Sequence, residues 1–468
     1  MTTKSYKGTP YHLWNPYTPM DTFLSFLGVG ATILTRGEGQ YVYNDRGRRY
    51  INGNSCTWNF SIGYGREEIV EAASRQMREL AFSSCWGRVH PRAIELAAKL
   101  VQITSGNFAH VYLGSNGSEA VETAIKLARQ YHRQSADTKS RDRFKIISLR
   151  GSYHGYAYGT VTLSASSDYA ARFGPLVPGF VAIDPPYCFR CPYQQDGYPD
   201  CGLACAQALE TAILAEDPTT VAAFIMEPVM GEFGVVAPPE DYYRVVAETC
   251  RRYGLLFIVD EVTTGFGRTG KLFVSQDWLL QPDILCLGKA ISGGYLPLAA
   301  TLATEAVFQR FLGKDRFFMH GSTNSGHPVC AAVGLAAIDI ILREKLSENA
   351  ARIGAYLKSR LLDLMNTHPI IGEVRGSGLM IAIDLTKDRN TKEPFTSDDI
   401  FNFWLDAISR GLLLSFSNWG LSLLPPLTTD ESIADAIVQI MDDTLHTGGK
   451  AEIERKARLV REFALSKF

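Results

Sequence analysis

From about residue 90 onward, short apolar runs recur between amphipathic segments: AHVYLG, KIISLR, AAFIME, LLFIVDE, DILCLGK and AATLAT. No other feature constrains the fold as strongly. Runs of this length, apolar at successive positions, suit strands buried on both faces. With helical segments between them they predict a mainly parallel sheet covered by helices on both sides, an α/β architecture. Residues 1–75 are instead rich in turns and short strands, with GQYVYNDRGRRYINGN reading as a hairpin around Asn44-Asp45. After about residue 345 come the helical ENAARIGAYLKSRLLDLM, strands near VRGSGLMIAIDL and a terminal helix pair. The expected division is a large domain over 76–340 and a smaller α+β domain over 341–468, to which the segment 1–75 contributes. The longest apolar stretch, PVCAAVGLAAIDIIL, is interrupted by Asp339 and too short to span a bilayer, so it reads as a buried helix.

In open α/β sheets, ligands sit beyond the carboxyl ends of the strands. Tyr153 and His154 follow KIISLR, Glu227 ends AAFIM, Asp260 ends LLFIV and Lys289 follows ILCL. A single charge at a strand end is ordinary and usually solvated. Four strands delivering polar or aromatic groups to one edge predict a crevice with convergent chemistry. The segment LGSNGSEAVETAIKLAR adds a turn of small residues, Gly114, Gly117 and Ser118, then a helix with Ala120, Val121, Ala124, Ile125 and Ala128 on one face. Amides at such a helix start suit a phosphate, although a serine cap without a ligand has the same pattern. GFGRTG also matches a dinucleotide-type spacing, but DEVTT separates it from its strand and KLFVSQDW after it is a poor helix start.

The formal net charge of −2 makes no electrostatic case for nucleic acid or an anionic membrane as partner. The opening MTTKSYKGTPYHLWNPY has no apolar core of a signal peptide. With nine cysteines, the chain is expected to be a cytoplasmic protein with reduced thiols.

The stretches SNGSEAVETAIKLAR, SYHG, MEP, IVDEVTTGFGRTG, LCLGKAISGG and HGSTNSGHPVCAA, in that order, resemble the class III (ω-amino acid type) aminotransferases, which depend on pyridoxal 5′-phosphate (PLP). HLWNPYTPM is similar to the diaminopelargonic acid aminotransferase branch. The resemblance implies a fold-type I PLP-dependent transferase. It implies transfer of an amino group from an amine or amino acid to a keto acid by a ping-pong route. A racemase, epimerase or aminomutase of the same fold is the alternative. Lys289 would form the Schiff base with the cofactor and move protons, and Asp260 would contact the ring nitrogen. Gly117 and Ser118 match the phosphate positions, Tyr153 and Val262 the two ring faces, and Glu227 a carboxylate near the site. Glu261 reads as structural. Thr323 matches a threonine that reaches the phosphate of a neighbouring subunit, which implies a homodimer or a dimer of dimers.

The sequence also departs from that branch. Ser415 stands where the branch has an arginine, and a tryptophan pair reads here as Thr57 and Trp58. Arg375 in VRGSGLM matches an arginine used for a substrate carboxylate, for which a bidentate guanidinium is suited; a structural ion pair is the competing reading. Tyr17, Trp58, Trp86, Phe416 and Trp419 are candidate pocket walls. Finally, CFRCPYQQDGYPDCGLAC sets Cys188, Cys191, Cys201 and Cys205 in a loop rich in proline and glycine. Four thiolates could hold zinc or an iron–sulfur cluster. Disulfides and free thiols are the alternatives.

Overall fold

The computed structural model describes residues 5–25, 27, 32–104, 108–195, 197–277 and 280–448. The end of the expected C-terminal domain, 449–468, lies outside the described residues. Seven strands form the central sheet: β1 (Phe108–Gly114), β2 (Lys145–Leu149), β3 (Phe180–Ile183), β4 (Val221–Met226), β5 (Leu256–Asp260), β6 (Ile284–Leu287) and β7 (Ala299–Thr304). Their spatial order is β1-β7-β6-β5-β4-β2-β3. Every pairing from β6 to β3 is parallel. All residues of β4, β5 and β6 are buried, which is why these strands read as unbroken apolar runs.

AATLAT departs from the parallel expectation. It forms β7, which runs antiparallel to both β6 and β1. Between Leu287 and Ala299 there is only a short 3₁₀ turn, Lys289–Ser292. A parallel return needs a crossover of roughly a dozen residues or more, usually a helix, so this strand comes straight back.

Helices cover the sheet on both faces. Helix α1 (Gly117–Arg133) buries Ala120, Val121, Ala124, Ile125 and Ala128, in one apolar layer with Ile258, Ile284 and Cys286. Helix α2 (Pro328–Arg343) is the long apolar stretch, and it packs Ala331, Val333, Ile338 and Ile341 into the other layer with Leu285 and Leu287. Asp339 meets Lys99 at 2.9 Å at its exposed side.

Two further sheets draw on the chain ends. Strands Ile371–Ser377, Met380–Asp388, Gly420–Leu423 and Ser415–Ser417 pair antiparallel. Strands Leu34–Glu38, Tyr41–Asn44 and Arg49–Asn52 form an antiparallel meander, which Leu412–Leu413 joins in parallel. In the hairpin between the last two of the meander strands, Asn44 Oδ1 accepts the amides of Arg46 (3.0 Å) and Arg48 (2.9 Å).

GFGRTG fastens these parts together. Gly267 and Gly270 adopt positive φ, and a Cβ on them would strike Ser347 and Ala351 in the helix Leu346–Asp363. Between them Arg268 is 2 % exposed. Its guanidinium donates to the carbonyls of Leu379 and Pro425 and to Ser55 Oγ. The glycines serve close packing, and the arginine ties an N-terminal serine to two C-terminal carbonyls.

Candidate active site

The carboxyl ends of β4, β5 and β6 lie side by side, and each releases an ionisable residue. At β6, Gly288 is fully extended and Lys289 takes φ 45°, an uncommon conformation for a residue with a side chain. Lys289 Nζ donates to Thr263 Oγ1 at 2.6 Å and lies 5.1 Å from the centre of the Trp58 ring. Burial lowers the Lys289 pKa; the negative charges of Glu232, Glu227 and Asp260 oppose this without cancelling it.

At β5, both oxygens of Asp260 accept hydrogen bonds. Oδ2 lies 2.7 Å from His154 Nδ1, and Oδ1 takes the amide of Val262 at 3.0 Å. His154 and Asp260 are both buried, and His154 Nε2 has no hydrogen-bond partner among the described residues. Beyond β4, Glu227 accepts the amides of Tyr153 (2.9 Å) and Gly231 (3.1 Å). Burial raises its pKa to about 7; His154 opposes the rise and Asp260 adds to it. Glu261 is a bracket for the chain after β5, accepting the amides of Val274 and Ser275 and the hydroxyl of Thr264.

At the start of α1, Asn116 Oδ1 caps the helix by accepting the Glu119 amide at 3.0 Å. Ser118 Oγ accepts the amides of Tyr156 (2.9 Å) and Ala157 (3.2 Å), which draws the loop carrying Tyr153 over the helix end. Gly117 and Gly288 both lie against Val262. A Cβ on Gly117 would come 2.7 Å from Val262 Cγ1, and one on Gly288 would come 3.1 Å from it. Val262 is thereby held between helix end and lysine.

Lys289, Asp260, Glu227, Tyr153, Val262, Gly117, Ser118 and Trp58 thus form one connected cluster. Trp58 is buried and donates Nε1–H to Ser415 Oγ at 2.9 Å. Tyr17 is 72 % exposed and sets its phenol against those of Tyr153 and Tyr169. Phe416 is exposed, and Trp419 packs edge-on to Phe233 at 4.8 Å. Arg375 is engaged: Nε donates to Gly234 O at 2.8 Å, and Nη1 lies 2.7 Å from Glu373 and 3.4 Å from Asp384. Trp86 and Thr323 are exposed. Trp86 lines an open groove of about 910 Å³ with Tyr112, Phe317 and Met319, a lining that contains no residue of the Lys289 cluster.

Cys188, Cys191, Cys201 and Cys205 are all unbridged. They line one small cavity of about 20 Å³. Among the described residues, however, the one group of three or more ligand atoms lying within 4.8 Å of one another is His368, Asp442 and His446. The sulfurs are not drawn together as zinc or a cluster would require, and burial pushes the Cys205 thiol up to about 12.

Two neighbours of Lys289 escaped the sequence reading. Thr263 follows DEV, and Glu232 stands in MGEFG soon after MEP. Both signals were present only as polar residues close behind strand-end carboxylates.

PLP has three handles: a carbonyl, a ring nitrogen and a phosphate. The cluster presents a buried amine, a buried carboxylate held by His154 Nδ1 and the Val262 amide, and a helix N-terminus. The donor set therefore fits the cofactor.

Comparison with known proteins agrees. The family profile described as Aminotransferase class-III matches residues 28–445. The adenosylmethionine-8-amino-7-oxononanoate aminotransferase of Geobacter sulfurreducens is 34% identical over 442 residues, 93% of this chain and 96% of that protein. The putrescine–pyruvate aminotransferase of Pseudomonas aeruginosa is 35% identical over 416 residues, 88% of this chain and 90% of its own. Among solved structures, an amine transaminase from an uncultivated Pseudomonas species in its PLP-bound form superposes with a TM-score of 0.87 at 35% identity, covering 95% of this chain and 99% of that one. These relatives support amino transfer over the isomerase alternative. The chain belongs to the class III aminotransferases, PLP-dependent enzymes of fold type I.

Proposed function

We propose that the Lys289 cluster is the active site, where an amino group passes from an amine or amino acid to a keto acid in two half-reactions. The observation that carries this reading is the pairing of a buried amine with a carboxylate fixed by His154 at neighbouring strand ends. PLP, when bound, supplies a carbonyl carbon that takes up the amino group and a ring that spreads the electrons left when a C–H bond breaks. Lys289, its pKa lowered by burial, has a larger neutral fraction; it attacks as a nucleophile and takes and returns a proton at Nζ. Thr263 holds that nitrogen in place. Asp260 keeps a proton on the ring nitrogen through its negative charge. Tyr153 and Val262 would hold the flat ring between them, and Glu227 secures Tyr153 by its backbone. The amides of Gly117 and Ser118 would hold the phosphate.

One site serving two half-reactions gives parallel lines in double-reciprocal plots with an amine donor and pyruvate or 2-oxoglutarate. Intersecting lines, or consumption of the amine without any keto acid, would refute the scheme. Within it, Arg375 takes the acceptor's carboxylate through Nη2, which makes no hydrogen bond among the described residues. Arg375→Ala should raise the KM for the keto acid by roughly tenfold or more, on the scale of a lost charge-assisted hydrogen bond, with a smaller change for a simple amine. Equal changes for both would leave Arg375 an ion-pair residue.

The active unit in this reading is a homodimer, or a dimer of dimers. In support, the groove beside Thr323 exposes Trp86 (64%), Phe317 (62%) and Met319 (76%), an apolar patch of the kind that interfaces cover. Light scattering should return twice the chain mass or a multiple of it. A fully active monomer would overturn this part.

A further inference from the structure

We propose that His368, Asp442 and His446 form a binding site for a divalent transition ion such as zinc, which ties the C-terminal helix Glu431–Thr447 to the turn ahead of strand Ile371–Ser377. The site shares no residue with the Lys289 cluster and stands apart from the amino-transfer reading.

Two separate elements supply the three side chains, and both are fixed. Asp442 and His446 are four residues apart in the helix, a spacing that puts them on one face. Met441, Thr444 and Leu445 beside them are buried, which sets the rotation of the helix. His368 comes from the turn, where its amide donates to Leu364 O at 2.9 Å. Its carbonyl accepts from the Ile371 amide (3.1 Å) and from Arg389 Nη2 (3.2 Å). The His368 ring is buried, and its Nε2 lies 2.5 Å from Asp442 Oδ1. His446 Nδ1 lies 3.9 Å from the same oxygen, and the two imidazoles meet edge to face with ring centres 5.2 Å apart. One ligand atom from each residue thus lies within 4.8 Å of the other two.

Two imidazoles and a carboxylate are a donor set for zinc and its neighbours in the first transition row. Bonds of about 2.0–2.1 Å to a tetrahedral ion place its ligand atoms roughly 3.3 Å apart, so each of the two measured separations has to change by less than about 1 Å. His446 can make that approach, because it is exposed and forms no hydrogen bond among the described residues. Its open side leaves the fourth position to water. The charges nearby also suit a cation. Among the described residues no lysine or arginine pairs with Asp442; its ion-pair partners are the two histidines. Asp443, next in the chain, faces Arg410 (3.8 Å) and Gln439 (3.1 Å) instead. Arg389 is spent on the carbonyls of Met365, His368 and Ile371. A simple ion pair accounts for His368 and leaves His446 as a lone charge at a helix C-terminus. A shared ion accounts for both. It takes the place of the proton between Nε2 and Oδ1, which is released to solvent on binding.

The test titrates zinc chloride calorimetrically into the holoenzyme, first treated with EDTA and then freed of the chelator, with thermal unfolding measured alongside. The wild type should bind zinc and unfold at a higher temperature in its presence, because an ion held by the folded state alone stabilises that state. His446→Ala removes an exposed ligand and leaves the core intact. It should weaken zinc binding by roughly tenfold or more, since even an indirect partner of a bound metal is worth that much. Asp442→Asn should have a similar effect, although its amide oxygen can still accept from His368 Nε2. In both variants the rise in unfolding temperature caused by zinc should shrink. Zinc held by Cys188, Cys191, Cys201 and Cys205 would be indifferent to either substitution. No zinc binding by the wild type, or binding of equal strength in the wild type and both variants, would overturn the site.

Discussion

Lys289→Ala should abolish turnover to within about one part in a thousand or less of the wild-type rate, measured with any donor the wild type accepts. Alanine removes two functions at once: the nucleophile that exchanges the amino group and the base that carries the proton. General acid–base catalysis alone is worth ~10²–10⁴-fold, and loss of the nucleophile compounds it. The fold should survive, because among the described residues Nζ makes a single hydrogen bond, to Thr263, and the residues behind it, Ala290 and Ile291, are buried independently of it. The left-handed backbone at position 289 remains strained for alanine as for lysine. Cofactor should still bind through Asp260 and the α1 amides. Borohydride treatment of the wild type should fix the pyridoxyl group to the peptide that contains Lys289. Recovery of the label on another lysine, or a variant that turns over at near-normal rate, would remove Lys289 from the centre of the mechanism.

How far the residues announced this site depends on which forces placed them. The strand ends were legible because β4, β5 and β6 are buried on both faces, and full burial writes itself as an unbroken apolar run that a charge can only terminate. The buried face of α1 was legible for a similar reason, through its 3.6-residue period. Strand direction was not. AATLAT looks like its parallel neighbours, and only the short connection from Leu287 turns it round. The glycines of GFGRTG illustrate the opposite case, in which a phosphate-like spacing serves packing against Ser347 and Ala351. Glu232 and Thr263 were missed because their nearness to Lys289 is made by turns after different strands, and no local period records it. The same holds for Arg375. Its motif was visible, but Glu373 lies two residues away and Asp384 on the paired strand, so its engagement follows from strand register. The cysteines were legible as a cluster in the chain, and they do line one cavity, but backbone proximity did not draw the sulfurs to ligand distance.

Asp260→Asn should lose most activity, roughly 10²-fold or more, and some stability with it. The two effects have separate causes. In the wild type both carboxylate oxygens accept, one facing His154 Nδ1 and the other the Val262 amide. Asparagine has one acceptor oxygen and one NH₂ group. If the oxygen faces Val262, the NH₂ faces the imidazole; if it faces His154, the NH₂ faces a backbone N–H. In the second case a buried donor loses its partner, at a cost of about 1–3 kcal/mol. In the first, the imidazole must shift its proton to Nε2, which has no partner among the described residues. Either way a lower unfolding midpoint is expected. The catalytic loss follows from charge. A neutral amide cannot hold a proton on the ring nitrogen as a carboxylate does, so the electrons released at the C–H bond are less well stabilised. His154→Phe distinguishes the two effects, since it keeps the carboxylate and removes its partner; it should lower stability while retaining more activity than Asp260→Asn. Near-normal turnover of Asp260→Asn would show that another group meets the ring nitrogen, and the assignment of the β5 terminus would then fall.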